Sequence, residues 1–82
     1  MQRSSSVLVV DDSSLMRRMI QDIFVATQEF RVVGTARNGR DALEQIKALE
    51  PDIVTLDVEM PELDGLQTLE RIMRDAPRPV VM

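Results

Sequence analysis

The stretch Ile53-Val54-Thr55-Leu56-Asp57-Val58-Glu59-Met60-Pro61 constrains the fold more than any other. Ile53 to Leu56 are apolar or β-branched, follow Pro51, and run straight into an aspartate. A short apolar run bounded by turn signals reads as a buried strand. A strand buried on both faces belongs in a parallel sheet with helices on both sides. Asp57 then stands at the carboxyl end of a central strand, the edge where open α/β sheets bind ligands. Pro61 stops the strand, and Leu63-Asp64-Gly65 supplies turn chemistry before a helix. Taken alone, Asp57 reads equally well as a solvated strand end; the rest of the chain tips the balance.

The flanking segments alternate in the same way. Val7-Leu8-Val9-Val10 is a first strand that ends at Asp11-Asp12-Ser13-Ser14, residue types that cap helices. Leu15, Met16, Met19, Ile20, Ile23 and Phe24 follow at helical spacing and predict a stripe facing a sheet, with Arg17, Arg18, Gln21 and Asp22 mostly opposite. That helix is expected to end between Ala26 and Gln28. Phe30 to Ala36 reads as a second strand, suited to an edge, with Gly34 marking weakness or close packing. Asn38-Gly39 caps a second helix carrying Ala42, Leu43, Ile46 and Leu49, with Glu44 and Lys47 spaced to pair. After Gly65, Leu66, Leu69, Ile72 and Met73 predict the buried face of a third helix. Pro77 and Pro79 end it, and Val80-Val81-Met82 opens a fourth strand.

This β-α-β-α-β-α-β order implies parallel strands with right-handed crossovers. The expected architecture is an α/β, flavodoxin-like doubly wound sheet of order 2-1-3-4. The first and third strands are then neighbours, and the topological switch point lies between them. Residues 1–82 read as one domain. The six methionines fall at helix-face spacing and read as core filler.

Composition removes several functions. The chain has no cysteine and no histidine, so disulfides, thiolate metal sites, histidine catalysis and the usual zinc ligands are excluded. A formal charge of -4 argues against a nucleic-acid face. No apolar run is long enough to cross a bilayer, so no membrane partner is expected. Met1 to Ser6 lacks the apolar region of a signal peptide, and a cytoplasmic location is the default.

The switch point brings Asp11, Asp12 and Asp57 together, because each follows the carboxyl end of one of two adjacent strands. Helix capping accounts for one of the first two aspartates. It does not account for two in a row converging on a third. A like-charge pair at about 4 Å costs roughly 4 kcal/mol at an effective dielectric near 20. A divalent cation offsets that repulsion, and an oxygen-only ligand set suits Mg²⁺. Mg²⁺ with open positions handles phosphate, and a carboxylate can itself be the nucleophile that forms an acyl phosphate.

Val-Leu-Val-Val-Asp11-Asp12-Ser, Leu-Asp57-Val-Glu-Met-Pro61 and Leu-Asp64-Gly65 resemble the receiver domain of bacterial two-component response regulators. Asp12-Ser13-Ser14-Leu15-Met16-Arg17, Val33-Gly34-Thr35-Ala36-Arg37-Asn38-Gly39, Pro51 to Pro61 and Pro79-Val80-Val81-Met82 are similar to the receiver of the chemotaxis protein-glutamate methylesterase. The resemblance runs from about Val7 to Met82. It implies that Asp57 accepts a phosphoryl group from a phosphohistidine on a sensor histidine kinase. It implies Asp12 and Asp57 as direct Mg²⁺ ligands, Asp11 acting mainly through water, and the backbone carbonyl of Glu59 as a further ligand. Met60, Pro61 and Gly65 match the loop that shapes the pocket. The resemblance also calls for a Ser or Thr after the fourth strand and a Lys after the fifth. This sequence stops before both, so it is expected to be a partial receiver lacking the fifth strand, the last two helices and the methylesterase effector domain. An exposed sheet edge would follow, with homo-oligomers as its consequence.

Two other classes compete. A Mg²⁺-dependent aspartyl-phosphate phosphohydrolase usually carries a second Asp two residues after the nucleophile, where this chain has Glu59. A fragment that self-assembles without chemistry is the other.

Overall fold

The chain alternates strand and helix as far as Val81: β1 (Ser5–Val10), α1 (Ser14–Val25), β2 (Phe30–Ala36), α2 (Gly39–Leu49), β3 (Ile53–Leu56), α3 (Gly65–Asp75) and β4 (Val80–Val81). These bounds come from a computed structural model that describes residues 4–82. Met1 to Arg3, part of the segment read as lacking a signal peptide, lie outside the described residues. The strands form one parallel sheet of order β2-β1-β3-β4, the doubly wound arrangement expected from the sequence. β2 is an edge strand, as its composition implied.

Two details of β1 set its position. It begins two residues before the apolar run, because Ser6 is tied to Asp52, the residue before β3, by a reciprocal polar contact. The Ser6 N–H donates to Asp52 Oδ2 at 2.8 Å, and the Asp52 N–H donates to Ser6 Oγ at 2.8 Å. The β1–β2 register then skips one residue between Val7 and Leu8, so Leu8 faces Gly34. A side chain at Gly34 would press on Gln45 and Leu49 of α2, which explains the glycine by close packing.

The core lies between the sheet and α2 and α3. Leu8, Val10, Val54 and Leu56 of the central strands meet Ala42 and Ile46 of α2 and Ile72 of α3. On the other face, Val7 and Val9 are also fully buried. Phe24 of α1 meets Phe30 of β2 edge-on, with centroids 5.4 Å apart.

Four sequence expectations need correction. The α1 stripe does not all face the sheet: Ile20 and Phe24 are half-buried, whereas Leu15 and Ile23 are 67% and 66% exposed. The described residues place nothing over the outer flank of this helix. The α3 stripe is rotated: Gly65, Thr68 and Ile72 are buried, while Leu66 and Met73 are exposed. Small residues are needed there, because a side chain on Gly39 would collide with the Thr68 hydroxyl and the Leu63 carbonyl. The methionines are not core filler as a class: among the described residues Met16, Met19, Met73 and Met82 are exposed and only Met60 is buried. Glu44 and Lys47 form no ion pair; the pairs among the described residues are Arg18–Asp22 and Arg74–Asp75.

Candidate functional site

Each acidic residue is placed by the end of a strand. The Asp11 N–H donates to the Ala36 carbonyl at 3.0 Å, the last rung between β1 and β2. The Asp57 N–H donates to the Val10 carbonyl at 3.0 Å, the matching rung between β3 and β1. Past these rungs the chains diverge into loops, and the side chains of Asp11, Asp12 and Asp57 gather above the sheet edge. One carboxylate oxygen from each lies within 4.8 Å of the other two. Asp11 is buried, Asp57 half-buried and Asp12 exposed, so the cluster opens from the sheet outward.

Main-chain donors orient two of the three carboxylates. Asp11 Oδ1 accepts from the Ser13 N–H at 2.9 Å, and Asp57 Oδ1 accepts from the Glu59 N–H at 3.3 Å. Both are turns in which an aspartate bonds to the backbone two residues on. Ser13 also caps α1, its Oγ accepting from the Met16 N–H at 3.2 Å. Asp12 accepts no hydrogen bond among the described residues.

The loop after Asp57 is held from below by α3. Asp64 and Gln67 form a reciprocal cap at its start, with bonds of 2.8 and 3.1 Å. The Gly65 N–H donates to the Val58 carbonyl at 3.0 Å. A Cβ at Gly65 would run into the Asp57 carbonyl and Val58 Cα, so only glycine lets α3 approach the loop this closely. Glu62 takes φ 66°, a left-handed conformation that closes the turn before the helix. Above this floor lies an open cleft of about 680 Å³, lined by Asp12, Asp57, Val58, Glu59, Met60, Pro61, Asp64 and Leu66.

The sequence-predicted residues thus meet in one place: Asp12, Asp57 and Glu59 line the cleft, and Asp11 stands beneath it. The oxygen-only cluster fits a hard cation that keeps several of its waters. Met60 is buried beneath the cleft, whereas Pro61 is exposed on its rim. Sequence reasoning missed two residues. Leu66, assigned to the core, instead forms a wall of the cleft. Arg17, assigned to the outer face of α1, donates from Nη1 to the Asp11 carbonyl at 2.7 Å. Its spacing from Asp11, six residues across a strand–helix turn, is visible only once the turn is built.

Residues 7–82 match the family described as response regulator receiver domain. A protein-glutamate methylesterase/protein-glutamine glutaminase of Geobacillus kaustophilus is 61% identical over 80 residues, spanning 98% of this chain and 23% of that protein. The protein of the same name from Bacillus subtilis is 51% identical over 76 residues, 93% of this chain and 21% of its own length. The chain therefore spans about a quarter of the curated relatives it matches. Among solved structures, the response regulator domain of Thermotoga maritima CheB superposes with a TM-score of 0.92 at 45% identity, covering 95% of this chain and 58% of that one. CheY in the CheX-CheY-BeF3-Mg complex of Borrelia burgdorferi gives a TM-score of 0.85 at 37% identity, covering 93% of this chain and 58% of that one. The strand order, the carboxylates at the switch point and these relatives agree, and the chain belongs to the response regulator receiver domain family, in the form carried by protein-glutamate methylesterases.

Proposed function

We propose that this chain is the phosphoryl-accepting part of a two-component receiver, and that Asp57 is the acceptor. The observation that carries the reading is the gathering of Asp11, Asp12 and Asp57 within 4.8 Å at the switch point, under an open cleft. A carboxylate oxygen of Asp57 attacks the phosphorus of a phosphohistidine on a sensor histidine kinase. The P–O bond forms, the P–N bond breaks with its electron pair going to the imidazole nitrogen, and an acyl phosphate results. Asp12 and Asp57 would hold Mg²⁺ directly, Asp11 mainly through water, and Glu59 through its backbone carbonyl. When bound, the ion screens charge on the phosphoryl oxygens. The similar CheX-CheY-BeF3-Mg complex of Borrelia burgdorferi supports a phosphoryl-type group and Mg²⁺ in this class of pocket.

On this reading residues 1–82 are one partial receiver domain acting in the cytoplasm, and the chain itself is not an enzyme. The output is control of a chemotaxis methylesterase effector domain, the activity in the names of the relatives. A second copy of the chain is a further partner, pairing at the exposed edge of the sheet. Nothing in the cleft favours a phosphohydrolase: Glu59 stands where that chemistry wants a second aspartate.

Incubation with acetyl phosphate and Mg²⁺, followed by intact mass, tests the assignment. The expected result is one phosphoryl adduct that requires Mg²⁺ and disappears in Asp57→Asn. An equal adduct in Asp57→Asn would sink it, and sustained turnover would favour the phosphohydrolase.

A further inference from the structure

The acidic cluster has a cation beside it, Arg17, that forms no ion pair among the described residues. Arg17 sits in the first turn of α1, its own N–H donating to the Ser13 carbonyl at 3.0 Å. Its side chain folds back, and Nη1 donates to the Asp11 carbonyl at 2.7 Å. That carbonyl needs a donor for a topological reason. The Asp11 N–H makes the last rung to β2 at Ala36, after which the chain leaves the sheet for α2. Among the described residues no backbone N–H bonds the carbonyl of the same residue. Arg17 fills the position.

The bond matters because of the peptide it holds. The Asp11 carbonyl and the Asp12 N–H belong to one planar unit. The two carboxylates hang from the Cα atoms at its ends. Fixing the carbonyl fixes the tilt of that plane, and with it the directions in which both acidic side chains leave the backbone. The Ser13 N–H bond to Asp11 Oδ1 then sets the remaining torsion of Asp11. For exposed Asp12, which accepts no hydrogen bond among the described residues, the plane is the restraint nearest the side chain. A bond from a charged donor is about twice as strong as a neutral one, which suits a restraint that must hold against repulsion between carboxylates.

We propose that Arg17 is a positioning residue for the metal site, holding the Asp11–Asp12 peptide so that the two carboxylates converge with Asp57. The proposal rests on the reading of Asp11, Asp12 and Asp57 as Mg²⁺ ligands. It has a sign that separates it from bulk electrostatics. A nearby positive charge repels Mg²⁺, so on charge alone removing Arg17 strengthens binding. Removing a positioning contact weakens it, and loss of a group that orients metal ligands typically costs about 10- to 100-fold in affinity.

Titration calorimetry with Mg²⁺ on the 82-residue chain decides between them. Arg17→Met keeps the stem but cannot donate, Arg17→Lys restores a charged donor, and Arg18→Met removes the same charge from a neighbour whose only ion pair among the described residues is the exposed one with Asp22. Arg17→Met is expected to bind about tenfold more weakly or worse. Arg17→Lys is expected near the wild type, Arg18→Met unchanged, and circular dichroism native in all three. The proposal is overturned if Arg17→Met binds as tightly as wild type or tighter. It is equally overturned if Arg18→Met weakens binding as much, if lysine fails to rescue, or if Arg17→Met no longer folds. A wild-type chain that gives no Mg²⁺ heat sensitive to Asp12→Ala is a different failure, that of the site reading itself.

Discussion

Asp12 carries the sharpest prediction at the residue scale, because it contributes charge to the cluster and no hydrogen bond to the fold. Asp12→Ala should abolish Mg²⁺ binding while the chain still folds. In the absence of metal its melting temperature should match or exceed the wild type, since one repulsive partner is gone. Saturating Mg²⁺ should raise the melting temperature of the wild type alone, as expected for a ligand bound only by the native state. Unchanged Mg²⁺ affinity in the variant would remove Asp12 from the site. Gly65 is the opposite case, essential by what it lacks. Gly65→Ala forces a methyl against the Asp57 carbonyl and should cost about 1–3 kcal/mol in urea unfolding, besides slowing phosphorylation. Full stability in Gly65→Ala would show that α3 can retreat from the loop at no cost. The cleft lining predicts a rate as well: Asp12, Asp57, Val58, Glu59, Met60, Pro61, Asp64 and Leu66 include no hydroxyl and no cation to grip a phosphoryl group. Losing one preorganised donor costs about 10²–10³ in rate, so acetyl phosphate should label the 82-residue chain far more slowly than a receiver with such groups. Equal labelling rates would refute this.

Among the elements, α1 and α3 show what patterning reveals and what it hides. The strand runs, the caps at Ser13, Asn38 and Asp64, and the sheet order were legible, because each depends on local chemistry or on the alternation of short apolar runs. The acidic triad was legible for the same reason: strand ends in a doubly wound sheet have known neighbours. The buried faces of α1 and α3 were not. Counting large apolar side chains cannot register Gly65 and Thr68 as core, although their smallness is what lets α3 approach α2 and the Asp57 loop. The Thr68 hydroxyl is satisfied within its own helix by the Asp64 carbonyl at 2.7 Å, so its burial carries no polar penalty. Nor can a helical stripe say how much of it has a surface to meet. Stability should follow the observed faces rather than the stripes. Ile72→Ala, in a fully buried position, should cost about 2–5 kcal/mol. Leu15→Gln and Ile23→Gln, on the exposed flank of α1, should each stay within about 0.5 kcal/mol of the wild type. Urea midpoints of the three variants check the ranking, and a large loss in Leu15→Gln would place that side chain in a contact the structure does not contain.

The whole molecule has the size of a small domain but not its surface. Its radius of gyration is 11.9 Å, close to the roughly 12 Å expected of a folded chain this long. Its accessible surface is 5626 Å², against about 5000 Å² expected for a monomer of this mass. The central strands are not bare: Val7, Val9 and Val54 are fully buried. Exposed large apolar side chains lie on helix flanks, in the loop after Asp57 and at the β4 edge. Ile20, Ile23, Phe24, Val81 and Met82 line an apolar groove between α1 and that edge, with the buried Thr55 hydroxyl at its floor unpartnered among the described residues. Beside the groove, β4 pairs with β3 on one side and, among the described residues, with no strand on the other. An unpaired edge next to apolar surface is a template for another chain. A second copy laid edge to edge would bring the two grooves together. A standard interface buries about 800 Å² per partner, a demand that groove and edge share. The 82-residue chain should therefore run as a dimer or larger species at micromolar concentration, with a melting temperature that rises with concentration. Val81→Lys, which puts a charge on the edge, should shift it toward monomer. Light scattering that finds a monomer with cooperative, concentration-independent unfolding would show that this surface is tolerated in water without a partner.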